Sequence, residues 1–216
     1  METIDRIPVT LDPAAVAKRL RHNPARASSV DLDELLALAG SLIRLCAAYE
    51  VSYTGAKGED TVEVAGVTFR SRILRRNLDQ AQKVFPFIMT AGPALEAAAS
   101  ASGDLLKQYY LEEMANIALE NGALWLSERL KTRFGFPGLA SMDPGSLEDW
   151  PITEQPKLFS IFGDTEGSSA CASRTACSCS RGNPFRESFS PPRKGSCPAS
   201  SATGISARPV ARHTTK

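Results

Sequence analysis

Hydrophobic positions along the 216-residue chain switch between a helical and an alternating period, and the switches mark the elements. Ile7 to Thr10 reads as a short edge strand. Asp12 then caps a helix with Pro13 at its first position and Ala15, Val16 and Leu20 on one face. His22 to Ser29 is polar. Asp31 or Asp33 opens a stronger helix carrying Leu35, Leu36, Leu38, Ala39, Leu42, Ile43 and Leu45. Ala48 to Tyr53 alternates, Gly55 to Asp60 is a turn, and Thr61 to Phe69 alternates again around a local turn at Gly66. Arg70 to Gln82 reads as a basic helical segment carrying Leu74, Leu78 and Ala81, its arginines more simply a solvated face than a ligand clamp. Lys83 to Gly92 is an apolar strand ending in Thr90-Ala91-Gly92, after which Pro93 starts a helix whose amides are open to an anion or to solvent. Gly103-Asp104 divides this helix from a longer one reaching Phe134. Its stripe runs through Leu105, Leu106, Tyr109, Leu111, Met114, Ile117, Ala118, Leu124, Leu126 and Leu130.

The stretch from Ser141 to Gly163 follows. Asp143-Pro144-Gly145-Ser146 is turn chemistry: proline fixes φ, and glycine lets a ligand approach the backbone. Trp150-Pro151 delays the next helix, which Thr153 and Gln155 open and Leu158, Phe159, Ile161 and Phe162 make amphipathic. Strands followed by long helices predict an α+β plan.

Composition narrows the partners. With 25 Lys+Arg against 24 Asp+Glu, nothing points to nucleic acid or a membrane surface. No apolar run approaches a bilayer span, and the first residues do not read as a secretory leader, so the cytoplasm is the default location. Cys46 reads as a core residue. Cys171, Cys177, Cys179 and Cys197 lack zinc-ribbon spacing, and one distant histidine, His213, accompanies them, which argues against a metal site or disulfide framework. No catalytic triad, phosphate loop or metal motif supplies a self-contained chemistry. Most carboxylates of the long helix read as surface charge; Glu120, beside Asn121-Gly122, stands out as a candidate.

The run Pro144-Gly145-Ser146 through Trp150-Pro151 to Gln155, Leu158 and Phe159 resembles the activation (reactivation) domain of cobalamin-dependent methionine synthase, in its short stand-alone form. The resemblance extends over most of residues 5–167. It implies a curved, mostly antiparallel sheet carrying long helices, with S-adenosylmethionine held near the Pro-Gly turn. It also implies cobalamin on a partner, a corrinoid-binding methyltransferase subunit or domain, whose inactive cofactor is restored by one-electron reduction coupled to methyl transfer. In that reading Pro144 and Gly145 offer backbone contacts, and Asp143 or Glu120 faces the donor's cationic groups. The family's Arg-x-x-x-Gly-Tyr motif, matched on Gly145, puts Ser141 at the arginine and Ser146 at the tyrosine. An arginine is the natural bidentate partner of a carboxylate, and serine cannot replace it.

After Gly167 the composition changes. Residues 168–216 are rich in Ser, Arg, Ala, Pro and Cys, without helix or strand period, and read as a disordered tail after a domain at 1–167. A one-base shift of frame permits a Met-Leu-Met and a Lys-Ser-Val-Ser-Gly-Ile run between Ser169 and Ser188, as in the family's returning strand. It also permits a Cys-rich end like that of the stand-alone members. A frameshift near Gly167 accounts for both and would leave the domain one strand short. Three functional readings follow: a donor-binding reactivation module, a corrinoid-protein docking module that does not use the donor, and a non-functional product of a broken frame.

Overall fold

A computed structural model describes residues 1–22, 30–163 and 201–207. The architecture is mixed α+β around an antiparallel sheet. Strand β1 (Glu2–Ile4) precedes helices α1 (Pro13–Leu20) and α2 (Leu32–Leu42). Strands β2 (Cys46–Tyr49), β3 (Ser52–Lys57), β4 (Thr61–Val64) and β5 (Val67–Arg70) lead into the short α3 (Arg72–Asn77). Strand β6 (Lys83–Thr90) is followed by α4 (Pro93–Ala101) and the 30-residue α5 (Leu105–Phe134). Then come β7 (Ala140–Met142), a 3-10 turn at Ile152–Glu154, α6 (Gln155–Ser160) and β8 (Ser201–Ala207). Among the described residues no helix is long and apolar enough to cross a membrane.

Strand β6 is the centre. One of its edges carries β2, opposite Phe87–Thr90, and then β3, opposite Lys83–Val84. The alternating run expected from Ala48 to Tyr53 is therefore divided in two. Pro86 explains the break: its carbonyl accepts from Glu50 N–H at 3.0 Å, but it has no N–H to return. Along β6, side chains sort by period two onto two buried faces. Phe85, Phe87 and Met89 join the larger core with α1, α2, α4 and α5, while Val84 and Ile88 meet the smaller clusters that include Leu74, Trp150, Leu158 and Phe162.

Local signals place the helix starts. Asp12 accepts from the amides of Ala14 and Ala15, Asp31 from Asp33 and Glu34, and Asp104 from Leu106 and Lys107. Gly122 lets α5 lie against the sheet: a Cβ there would fall 2.3 Å from a Leu45 methyl and 2.8 Å from the Met89 sulfur.

Several expectations need correction. Ile7–Thr10 is not a strand; the N-terminal strand is β1, and Ile7 only donates its N–H to Leu45 O at 2.8 Å. The turn after β3 begins at Gly58, because Gly55 to Lys57 stay in the ladder. Leu105 and Leu124 are exposed at 81% and 67%, and Tyr109 faces outward while Tyr110 is buried, so the stripe is narrower than drawn. Thr153 caps nothing: helical backbone already starts at Ile152, after Pro151, and no side chain caps α6.

Residues 201–207, expected in a structureless tail, form β8. They pair with β6 from Val84↔Ala207 to Thr90↔Ser201, and with β7 from Ala140↔Ala207 to Met142↔Ile205. Backbone groups make a ladder, so a strand without an apolar period can still fill an edge. Residues 23–29, 164–200 and 208–216, with four of the cysteines and His213, lie outside the described residues.

Candidate functional site

The Asp143–Ser146 turn leaves the sheet at the end of β7, whose strand partner is β8. Ser146 N–H donates to Asp143 O at 3.0 Å, and the Ser146 hydroxyl both accepts from Asp143 N–H (2.9 Å) and donates to Asp143 O (2.6 Å). Gly145 sits at φ +93°, which favours glycine, and donates its N–H to Trp150 O at 2.6 Å. Trp150, fully buried against Phe69 with ring centroids 5.8 Å apart, anchors the far end of the loop. Its indole N–H has no hydrogen-bond partner among the described residues.

Two carboxylates six residues apart in this loop have opposite surroundings. Asp149 would be raised by burial, but it accepts from the Ser71 hydroxyl (2.6 Å) and from the amides of Ile73 (3.2 Å) and Arg72 (2.7 Å). These bonds hold its pKa below the ordinary carboxylate value. Asp143 uses only its backbone; its carboxylate has no hydrogen-bond or ion-pair partner among the described residues. Burial raises its pKa from 3.8 to about 6. Of these two aspartates, Asp143 is thus the one that can exchange a proton near neutral pH or pair with an incoming cation.

The other candidates divide. Ser141 is exposed on β7 opposite Ser206, and Pro144 is buried while Gly145 and Ser146 are exposed. Glu120 stands apart from them on α5, where Arg19 of α1 clamps it through two bonds of 2.9 and 3.3 Å. The same arginine reaches the buried Glu113 at 3.2 Å. The structure therefore gathers Asp143, Pro144, Gly145 and Ser146 on one turn, leaves Ser141 on the strand that leads into it, and gives Glu120 to a separate ion pair between helices. At the start of α4, Thr90 Oγ1 accepts from Gly92 N–H at 3.1 Å, and no side chain caps the helix.

Sequence reasoning missed the loop's other end. A polar cleft of about 330 Å³ is lined there by Asp149, Pro151 and Glu154 with Asp60, Arg70 and Arg72. Its charges are largely paired, Arg70 with Asp60 at 2.7 Å and Arg72 with Asp149 at 3.9 Å. The only signal for Asp149 was an acid before Trp150-Pro151, which looks like ordinary surface charge until its partners appear 76 to 78 positions away. No known family profile matches the chain, and no curated protein matches it.

Proposed function

We propose that this chain is a reactivation-type module that presents S-adenosylmethionine to a corrinoid cofactor carried by a separate methyltransferase. The observation that carries this reading is Asp143: a partly buried carboxylate without a partner among the described residues, beside a glycine turn with accessible backbone. When bound, S-adenosylmethionine supplies a methyl group on a positively charged sulfur. Asp143 faces that charge or the donor's amine, and the exposed backbone of Gly145 admits a close approach. The residues present fit only this cationic end. Ser141 and Ser146 bring no positive charge to the donor's carboxylate, and the Ser146 hydroxyl is committed inside the turn.

Calorimetric titration with S-adenosylmethionine is the direct test. Saturable binding is expected, stronger at pH 7.5 than at pH 5 because ionised Asp143 attracts the cation, and about tenfold weaker in Asp143→Asn. Binding that ignores both pH and the substitution would remove Asp143 from the site.

The Ser141 and Ser146 observation favours a second reading, a module that docks a corrinoid protein without using the methyl donor. It predicts no heat with S-adenosylmethionine and co-migration with a cobalamin-loaded methyltransferase domain in gel filtration.

A further inference from the structure

A second surface, independent of the methyl-donor reading, lies where the C-terminal part of α5 meets the start of β6. Trp125, Arg129 and Arg133 follow one another at i, i+4 and i+8 and share a helix face. The Arg129 guanidinium lies 5.4 Å from the Trp125 ring centre, and that of Arg133 lies 5.4 Å from Phe134. Beside them the Lys83 ammonium stands 5.1 Å from Phe134 and 6.0 Å from both Phe136 and Tyr53. Five cation-ring contacts thus fall in one band.

Such contacts also decorate ordinary surfaces, at roughly one per 70–80 residues. Two features set this band apart. Two acids of this region are taken: Glu2 is bonded to Arg133 and to the Tyr49 hydroxyl, and Glu128 to Lys131 at 2.8 Å. Lys83 and Arg129, by contrast, have no carboxylate partner among the described residues. The platform beneath is also fixed, because Phe134 and Phe136 rest on the fully buried Phe85 at 4.9 and 5.9 Å. Cations already held over rings lose little freedom when they meet an anion.

We propose that this band docks an acidic segment of a partner protein. Charge complementarity selects the sign, and the tryptophan, tyrosine and arginine content suits a protein interface. Single-stranded nucleic acid is the less favoured occupant because it needs open ring faces for base stacking, and here the cations lie over them.

The test uses the full chain and a fluorescein-labelled dodecapeptide alternating Glu and Leu, followed by anisotropy at 50 and 300 mM NaCl. Saturable binding is expected, weakened by salt and by about fivefold or more in the Lys83→Gln/Arg129→Gln double variant. Emission from half-exposed Trp125 should change on binding. That change should vanish in Trp125→Phe, in which buried Trp150 is the remaining tryptophan. No saturation, an unaffected double variant, or an emission change that survives Trp125→Phe would each overturn the proposal. Tighter binding of a twelve-nucleotide oligo-dT than of the peptide would overturn it in favour of nucleic acid.

Discussion

Asp143 and Asp149 sit at the two ends of one loop and have the same chemistry, yet the fold treats them in opposite ways. Asp149 is surrounded by donors from another part of the chain, while Asp143 is partly buried with no donor to its carboxylate among the described residues. The first arrangement stabilises the ionised group and fixes the loop on β5 and α3. The second leaves a charge whose burial costs stability, which a fold tolerates most readily where a ligand can supply the missing partner. Position in the loop therefore separates a structural carboxylate from a candidate binding one, and each substitution below tests that separation.

The largest effect is expected at Asp149. Its removal strands the Ser71 hydroxyl, which is 2% exposed in its residue, and two backbone amides at the start of α3. Asp149→Ala should cost about 3 kcal/mol, the scale of lost hydrogen bonds to a charged group combined with a lost helix cap. Asp149→Asn keeps one acceptor oxygen and should cost about half as much. Urea denaturation measures both, and a loss under about 0.5 kcal/mol for alanine would mean that the loop is held by Trp150 alone.

Asp143 should act with the opposite sign. Its pKa in the folded protein, about 6, lies above the unfolded value of 3.8, so the folded state holds the proton more tightly. The contribution is fully present below about pH 4 and is lost as pH rises through about 6, a decline of about 3 kcal/mol by proton linkage. Asp149, with its lowered pKa, contributes above its unfolded value and loses that contribution as pH falls further. Asp143→Asn should therefore abolish the decline between pH 4 and 7 and make the protein more stable than the parent at pH 7.5. Denaturation midpoints across this range check it; parallel curves for parent and variant would show that Asp143 reaches water freely.

How much of this was legible in the sequence follows from the range of each interaction. The starts of α1, α2 and α5 were readable because a capping aspartate and its amides lie within three residues of each other. Strand β6 was readable as a continuous apolar run ending at Thr90-Ala91-Gly92. The break between β2 and β3 was not, because its cause, Pro86, lies on another strand. Nor was β8, whose pairing rests on backbone groups that no side-chain pattern advertises. At the site, the turn was visible as Pro144-Gly145. The partnering of its two aspartates was not, because it is set by Ser71 at one end and, among the described residues, by no donor at the other.

The smallest expected effect separates backbone support from carboxylate support. Ser146 bonds only to the main chain of Asp143, whereas Ser71 donates to the carboxylate of Asp149. Ser146→Ala leaves the Asp143 amide to water, while the Asp143 carbonyl keeps its bond from the backbone N–H of residue 146, so the cost should be about 0.5–1 kcal/mol. It should leave the titration of Asp143 where it was, because burial rather than a hydrogen bond sets that value. Ser71→Ala removes a bond to an ionised group and should move the titration of Asp149 upward. Carbon-13 NMR of the two aspartate carboxyls follows both titrations directly. A shift of Asp143 in Ser146→Ala would show that the turn governs how deeply this carboxylate is buried, tying the conformation of the Pro-Gly turn to the charge it presents.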